Sequence, residues 1–437
     1  MRNREVSPRL IAAAVLVTLT VVLALYWRGL LTEPDGGDRR MMGGGGGMPP
    51  PPPLGHARIE VTTLAGRPLP GHLDGPGSAA RFSGPAGVAV VPEGQLYVAD
   101  SQNHRIRRVS PTGEVQTVAG SGPADAVEGG YQDGPALAAR FWNPAGLALA
   151  PNGALYVADA GNHCIRVLHP EGRVSTLAGR PGPPDAAGIP AGGYQDGRGP
   201  QARFSFPTAL ALDGAGVLYV ADTGNHCIRR VTADGQVSTL AGRPEAGHAD
   251  GPGTTARFHS PCGVACGPDG VLYVADAANR CVRAISPDGR VSTVPTPRME
   301  APPPQAEWTR HPDPTGDPAP AGPRLVQPVA VAVDSWGRLC IGDAGVHCLY
   351  QVNAGALFLA AGIHSERAAP GWADGGGDRA RFARPAALAA GPDGTLYVAD
   401  CGNHCVRRVT LLPPEALQPP PGHGRPRRGR RGSRFGR

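Results

Sequence analysis

Apolar residues along this chain alternate with polar ones at a period of two in short segments, and the segments recur in groups of four. One group is residues 146–150 (GLALA), 155–158 (LYVA), 164–168 (CIRVL) and 174–178 (VSTLA), each of which reads as a strand. Asn152-Gly153, Gly161-Asn162 and Glu171-Gly172 supply turn residues between them, so the unit predicts a four-stranded antiparallel meander. Its centre, LYVADAGNHCIRVL from Leu155, has counterparts beginning at Leu96, Leu218, Leu272, Leu339 and Leu396; the copy at Leu339, LCIGDAGVHCLYQV, is degenerate. Self-similarity at a period of about 55 to 65 residues is the signature of stacked repeats. A lone meander leaves a sheet face bare. Neighbours must therefore stack, and closing them into a ring leaves only short edges.

The strands at the two ends of the repeat array decide between an open array and a ring. Residues 61–65 (VTTLA) have the sequence of a fourth strand with no first three before it, and residues 386–409 supply a first three with no fourth after them. Joining them completes a sixth unit. The expected fold is an all-β, six-bladed β-propeller over residues 58–411, closed by the N-terminal strand joining the last blade. Five of the six connections between blades carry one motif, seen as DGPGSAARFSGP from Asp74 and repeated from Asp133, Asp196, Asp250 and Asp374. Asp-Gly opens a turn, small residues allow one helical turn, and Pro ends it before the next strand. Before the fifth blade a Pro-rich insertion at 295–323, containing Trp308 and His311, takes its place.

The flanks differ in kind. Residues 10–27 are an uninterrupted apolar run, just long enough to cross a bilayer as a helix. Arg2, Arg4 and Arg9 precede it, so residues 1–9 stay cytoplasmic and the large C-terminal part is exported. The expectation is a single-pass signal-anchor; a cleaved secretory signal would give the same compartment, with the propeller secreted. Residues 28–57 form a Gly- and Pro-rich linker, and residues 412–437 a Pro- and Arg-rich tail of disordered composition.

Composition changes the picture in two places. The 437 residues include 64 Gly and 49 Pro, so turns dominate. The net charge of +6 contains no lysine, and seven of the 42 basic residues are arginines within the last thirteen positions, leaving 35 against 36 acids elsewhere. The body is near neutral. A nucleic-acid partner is not indicated by its charge. Nine cysteines, an odd number, exclude a complete set of intrachain disulfides. Five of them (Cys164, Cys227, Cys281, Cys348 and Cys405) fill one repeat position as small apolar side chains; Cys401 and Cys405 flank a turn and are close enough in sequence to pair.

With Asp100, Asn103 and His104 in the first blade, Asp159, Asn162 and His163 in the second, Asp222, Asn225 and His226 in the third, and Asp400, Asn403 and His404 in the last, the chain resembles the NHL-repeat family of β-propellers. Blade four departs with Arg280 in place of His, and blade five with Val346 in place of Asn. The resemblance implies the fold strongly. It implies function weakly, because one fold serves many activities.

A residue that recurs by rotation serves each blade alike, whereas a bound metal needs ligands converging on one point. The recurring Asp, Asn and His are therefore read as structural, hydrogen-bonding the turn between second and third strands. No nucleophile motif, P-loop or zinc signature is present in the sequence. Tyr131, Trp142, Tyr194, His248, His259, Trp308, His311 and Trp372 stand outside the repeat and mark a possible ligand face on the loops. The leading expectation is a membrane-anchored, exoplasmic scaffold for a protein, peptide or glycan, with no cofactor. The alternatives are a lyase- or lactonase-like propeller enzyme using zinc or calcium, and an RNA-binding propeller if the domain is cytosolic.

Overall fold

A computed structural model describes residues 59–122, 129–186, 188–295, 324–353, 356–364 and 369–410. The segment at 10–27, the linker, the insertion with Trp308 and His311, and the tail lie outside the described residues. Among the described residues no helix is long and apolar enough to cross a membrane.

The described chain is all-β and forms a six-bladed propeller. Blade three shows the plan: Pro207–Leu212, Leu218–Asp222, Cys227–Val231 and Gln236–Gly242 pair in that order, each antiparallel to the last. Blades one, two, four and five repeat the order from Pro85–Val90, Pro144–Leu149, Pro261–Cys266 and Pro328–Val333. Each first strand begins at a proline, where a missing N–H is tolerated, and the register shifts just after it. Blade six takes Pro385–Ala390, Thr395–Asp400 and Cys405–Thr410 from the C-terminal end, and Glu60–Gly66 pairs against the last of these with Val61 opposite Val409.

Successive first strands contact one another around a central channel. They come very close: a Cβ on Gly87 would lie 1.9 Å from the carbonyl oxygen of Ala145, so no larger residue fits there. The hydrophobic cores sit between blades rather than within them. Ile165, Ala158 and Ala178 of blade two pack with Leu210, Val220 and Val237 of blade three, and the other junctions follow suit. Each fully buried aliphatic side chain contributes about 1.5 to 3 kcal/mol. This is why a single blade is not a stable unit.

The plan gives the disc two unlike faces. One carries the hairpins joining first to second and third to fourth strands. The other carries the turns after Asp100, Asp159, Asp222, Asp276, Asp343 and Asp400, and the starts of the long connections between blades. These are called the hairpin face and the connection face below.

Candidate functional site

The third strand reads as alternating, yet in five of the six blades its central arginine points inward. Arg107, Arg166, Arg229, Arg283 and Arg407 are wholly buried. In blade two, Arg166 Nη1 donates to Asp159 at 2.8 Å and to the Arg140 carbonyl at 3.0 Å, while Nη2 reaches Asp133 and the Gln132 carbonyl. Its guanidinium lies 5.1 Å from the centre of the Phe141 ring. Asp133 and Phe141 belong to the connection motif, so Arg166 joins the repeat to the connection. The same set recurs with Asp74, Asp100 and Phe82, with Asp196, Asp222 and Phe204, with Asp250, Asp276 and Phe258, and with Asp374, Asp400 and Phe382. Burial pushes the Asp159 carboxyl up to about 6 against the pull of Arg166.

The remaining lone pairs of these aspartates hold the turn. Asp159 Oδ1 accepts the Trp142 N–H at 2.8 Å, and Asn162 donates to Asp159 Oδ2 at 2.9 Å and to the Gly130 carbonyl at 2.8 Å. Asn103, Asn225, Asn279 and Asn403 repeat the arrangement with Asp100, Asp222, Asp276 and Asp400. The histidines act differently, reaching to the next blade. His104, His163, His226, His347 and His404 sit in the left-handed region, and each Nδ1 accepts the N–H of Asn143, Phe206, Ser260, Arg384 and Gly84 respectively, at 3.0 to 3.2 Å. These partners also have positive φ. An accepting Nδ1 requires neutral imidazole, and burial pushes His163 down to about 4 and lowers His226, His347 and His404.

Blade five keeps Asp343 and His347 but lacks the arginine and the asparagine, which are Tyr350 and Val346 there. Tyr350 occupies the arginine position, and its hydroxyl pairs with His364 Nδ1 at 2.5 Å. Asp343 instead accepts the N–H groups of Val326, Gln327 and Gly345. At the junction of blades four and five Arg280 replaces the histidine, and Gln327, which stands where the other blades have a positive-φ residue, is not among them.

The aromatic candidates differ in identity and share a place. Tyr131, Tyr194, His248 and Trp372, together with His72, each lie two residues before the connection aspartate. Tyr131 and Tyr194 meet the hydroxyls of Thr176 and Thr239 at 3.0 and 2.9 Å, His248 and His72 meet Thr293 and Thr117 at 3.3 and 3.0 Å, and Trp372 Nε1 donates to Thr63 at 3.1 Å. Those threonines are on the outermost strands, so the aromatics line the rim. Tyr131, Tyr194 and Trp372 remain 43, 43 and 48% exposed. Trp142 and His259 sit apart from them, just before the first strands of blades two and four. Trp142 covers Gly161, and the His259 ring stands 5.5 Å from that of His226, edge to face.

The channel itself is narrow, about 60 Å³, and lined by Gly, Ala, Val and Leu with Thr208 and Cys262. Thr208 donates to the Cys262 carbonyl at 3.1 Å, across the junction of blades three and four. A second hollow of about 330 Å³ opens on the hairpin face between blades five, six and one, lined by Val90, Val333, Asp334 and Ala390. Among the described residues no group of three or more His, Cys, Asp or Glu side chains is placed to hold a metal. All nine cysteines, Cys401 and Cys405 included, are free thiols, and burial raises those of Cys164, Cys227 and Cys405 well above the usual range. The side chains that look most chemical are thus the ones engaged in holding blades together.

Comparison with known proteins agrees with this geometry. The NHL repeat family model matches residues 82–109, 141–168, 204–231 and 382–409. These fall in blades one, two, three and six, where the inward arginine and the Asp, Asn and His are all present. Teneurin-3 of Danio rerio is 32% identical over 231 residues, covering 48% of this chain and 8% of its own length. NHL repeat-containing protein 2 of Bos taurus is 29% identical over 337 residues, covering 56% of this chain and 46% of its own. The chain spans less than half the length of either relative. Among solved structures, a structural genomics protein of unknown function from Bacteroides thetaiotaomicron superposes with a TM-score of 0.54 at 19% identity, over 80% of this chain and 76% of that one. That likeness is one of fold.

Proposed function

This chain is an NHL-repeat β-propeller, and from that we propose that it works as a membrane-anchored, exoplasmic scaffold that docks a partner on its connection face. Residues 10–27 serve as the anchor and residues 28–57 as the tether. The pairing of Glu60–Gly66 with Cys405–Thr410 serves as the clasp that closes the ring. The observation that carries the docking role is the rim: Tyr131, Tyr194 and Trp372 present large exposed rings that are hydrogen-bonded in place by outermost-strand threonines. Rigid aromatics with a polar handle are favoured contact residues because little side-chain entropy is lost on binding.

Protease treatment of right-side-out membranes from cells expressing the full chain tests the sidedness. An exoplasmic propeller is digested from outside; one that survives until the membrane is opened contradicts the reading and reopens the cytosolic, RNA-binding alternative. The enzyme alternative needs imidazoles or carboxylates gathered at one point. Metal analysis decides it, since stoichiometric zinc or calcium retained through dialysis would overturn a pure scaffold.

A further inference from the structure

The connection face carries a second fivefold array besides the rim aromatics. Arg81, Arg140, Arg203, Arg257 and Arg381 each precede a connection phenylalanine. Each offers its carbonyl to the buried arginine of its blade, which fixes the backbone from which its own side chain departs. The side chains are half-buried, and their stems lie against Gly71, Gly130, Gly193, Gly247 and Gly371, where a Cβ would meet them within 2.5 to 3.2 Å. Among the described residues none of the five has a carboxylate in salt-bridge range. Arg67, Arg180 and Arg280 add exposed guanidiniums at the same end of the disc, again without an ion-pair partner among the described residues. Against these stand Asp185, Glu245 and the connection aspartates Asp74, Asp133, Asp196, Asp250 and Asp374, which are 40 to 50% exposed. The five connection aspartates are engaged by the buried arginines, which leaves the outer arginines without a carboxylate of their own among the described residues. On the hairpin face, by contrast, carboxylates such as Glu93, Asp269 and Asp288 mingle with Arg173 and Arg290.

We propose that the connection face binds an acidic polysaccharide, the five arginines taking its carboxylates and the rim aromatics stacking on its sugar rings. Arginine matches a carboxylate with a planar fork of donors, and its repetition once per blade presents a regular array of the kind that suits a polymer with regularly repeated charge. Tyr131 and Tyr194 each have one face over a buried guanidinium, Arg166 at 4.9 Å and Arg229 at 5.0 Å, and their remaining exposed surface with that of Trp372 supplies apolar contact for the rings. Lipid phosphates are the poorer match, because the chain enters at Ile59 and leaves at Thr410 on the hairpin face, opposite to the array. The choice of a polysaccharide over a nucleic acid rests on the exoplasmic reading above; the charge and aromatic geometry do not.

The test is affinity of the full-length chain in detergent for polygalacturonate, with neutral dextran beside it. Retention on polygalacturonate alone, weakening as salt is raised, is the expected result. The triple variant Arg140→Gln/Arg203→Gln/Arg257→Gln should bind about tenfold or more weakly, while the corresponding triple Arg→Lys variant, melting at the same temperature, keeps most of the affinity. Equal binding by the Gln variant and the unaltered chain would overturn the proposal, because it places the affinity on the seven arginines of the tail. So would tighter binding of a single-stranded oligonucleotide, or no retention at all. A cytoplasmic result in the protease experiment fails the exoplasmic reading and with it the choice of a polysaccharide, whereas weaker binding by the Gln variant, which is blind to sidedness, still reports that the arginines hold the polyanion.

Discussion

Arg166 donates to Asp159 at 2.8 Å, and neither side chain reaches solvent. A pair so enclosed forfeits its hydration, and it is held by the further bonds from Asn162 and the Trp142 N–H. Removing one member strands the other. Arg166→Met should therefore cost about 3 to 5 kcal/mol of stability, read as a fall in the denaturant midpoint with an unchanged slope. Arg166→Met combined with Asp159→Asn should recover part of that loss. A single-variant effect below about 1 kcal/mol, the level of an exposed pair, would show that the arginine is not an anchor.

Acid should weaken the histidine links between blades. The folded pKa of His163 is about 4 against 6.5 for the free side chain, so between those values the unfolded chain holds a proton the folded one lacks. Stability is full above pH 6.5 and declines as pH falls toward 4, by on the order of 3 kcal/mol for this residue. The unaltered chain should lose melting temperature relative to His163→Asn, which keeps access to the left-handed backbone, as pH falls across that window; Asp159, pushed up to about 6, acts in the opposite sense in both chains and drops out of the comparison.

If Glu60–Gly66 is a full member of blade six, its core position should matter as much as the matching one in blade two. Val61 and Val174 are both fully buried. Val61→Asp and Val174→Asp should each destabilise the full chain by more than about 3 kcal/mol, the cost of burying an unpaired charge. A mild effect at Val61 beside a severe one at Val174, seen by thermal unfolding, would count against the clasp.

Blade five should resist repair by a single substitution. Tyr350→Arg places a guanidinium beside Asp343, whose oxygens already accept four backbone N–H groups, and among the described residues its blade has no connection aspartate or phenylalanine to complete the set. We expect a loss of about 2 to 4 kcal/mol, measured by thermal unfolding. Stabilisation would mean that Asp343 is free to exchange partners.

Much of this architecture is legible in the alternation and in the connection motif, because strand period and turn residues are local signals. The inward arginine is not, since an arginine in a strand such as CIRRV ordinarily reads as facing water. Its signal was present all the same: the arginine, the Asp-Gly and the Arg-Phe occur together in five blades and are missing together in the fifth. The histidines were readable as structural, but not as links to the next blade, because Phe206 lies 43 residues after His163 in the chain. That the rim aromatics occupy one repeated position is hidden for a different reason. Tyr, His and Trp differ by letter, and only their common threonine partners reveal the shared place.

The pairing of Val61 with Val409 has a consequence for biosynthesis. Val61 leaves the ribosome about 350 residues before its partner exists, so one exposed strand edge must wait through the making of every other blade. A chain released before Thr410 keeps that edge bare, and a second such chain does not cover it, because both lack the same C-terminal strand partner.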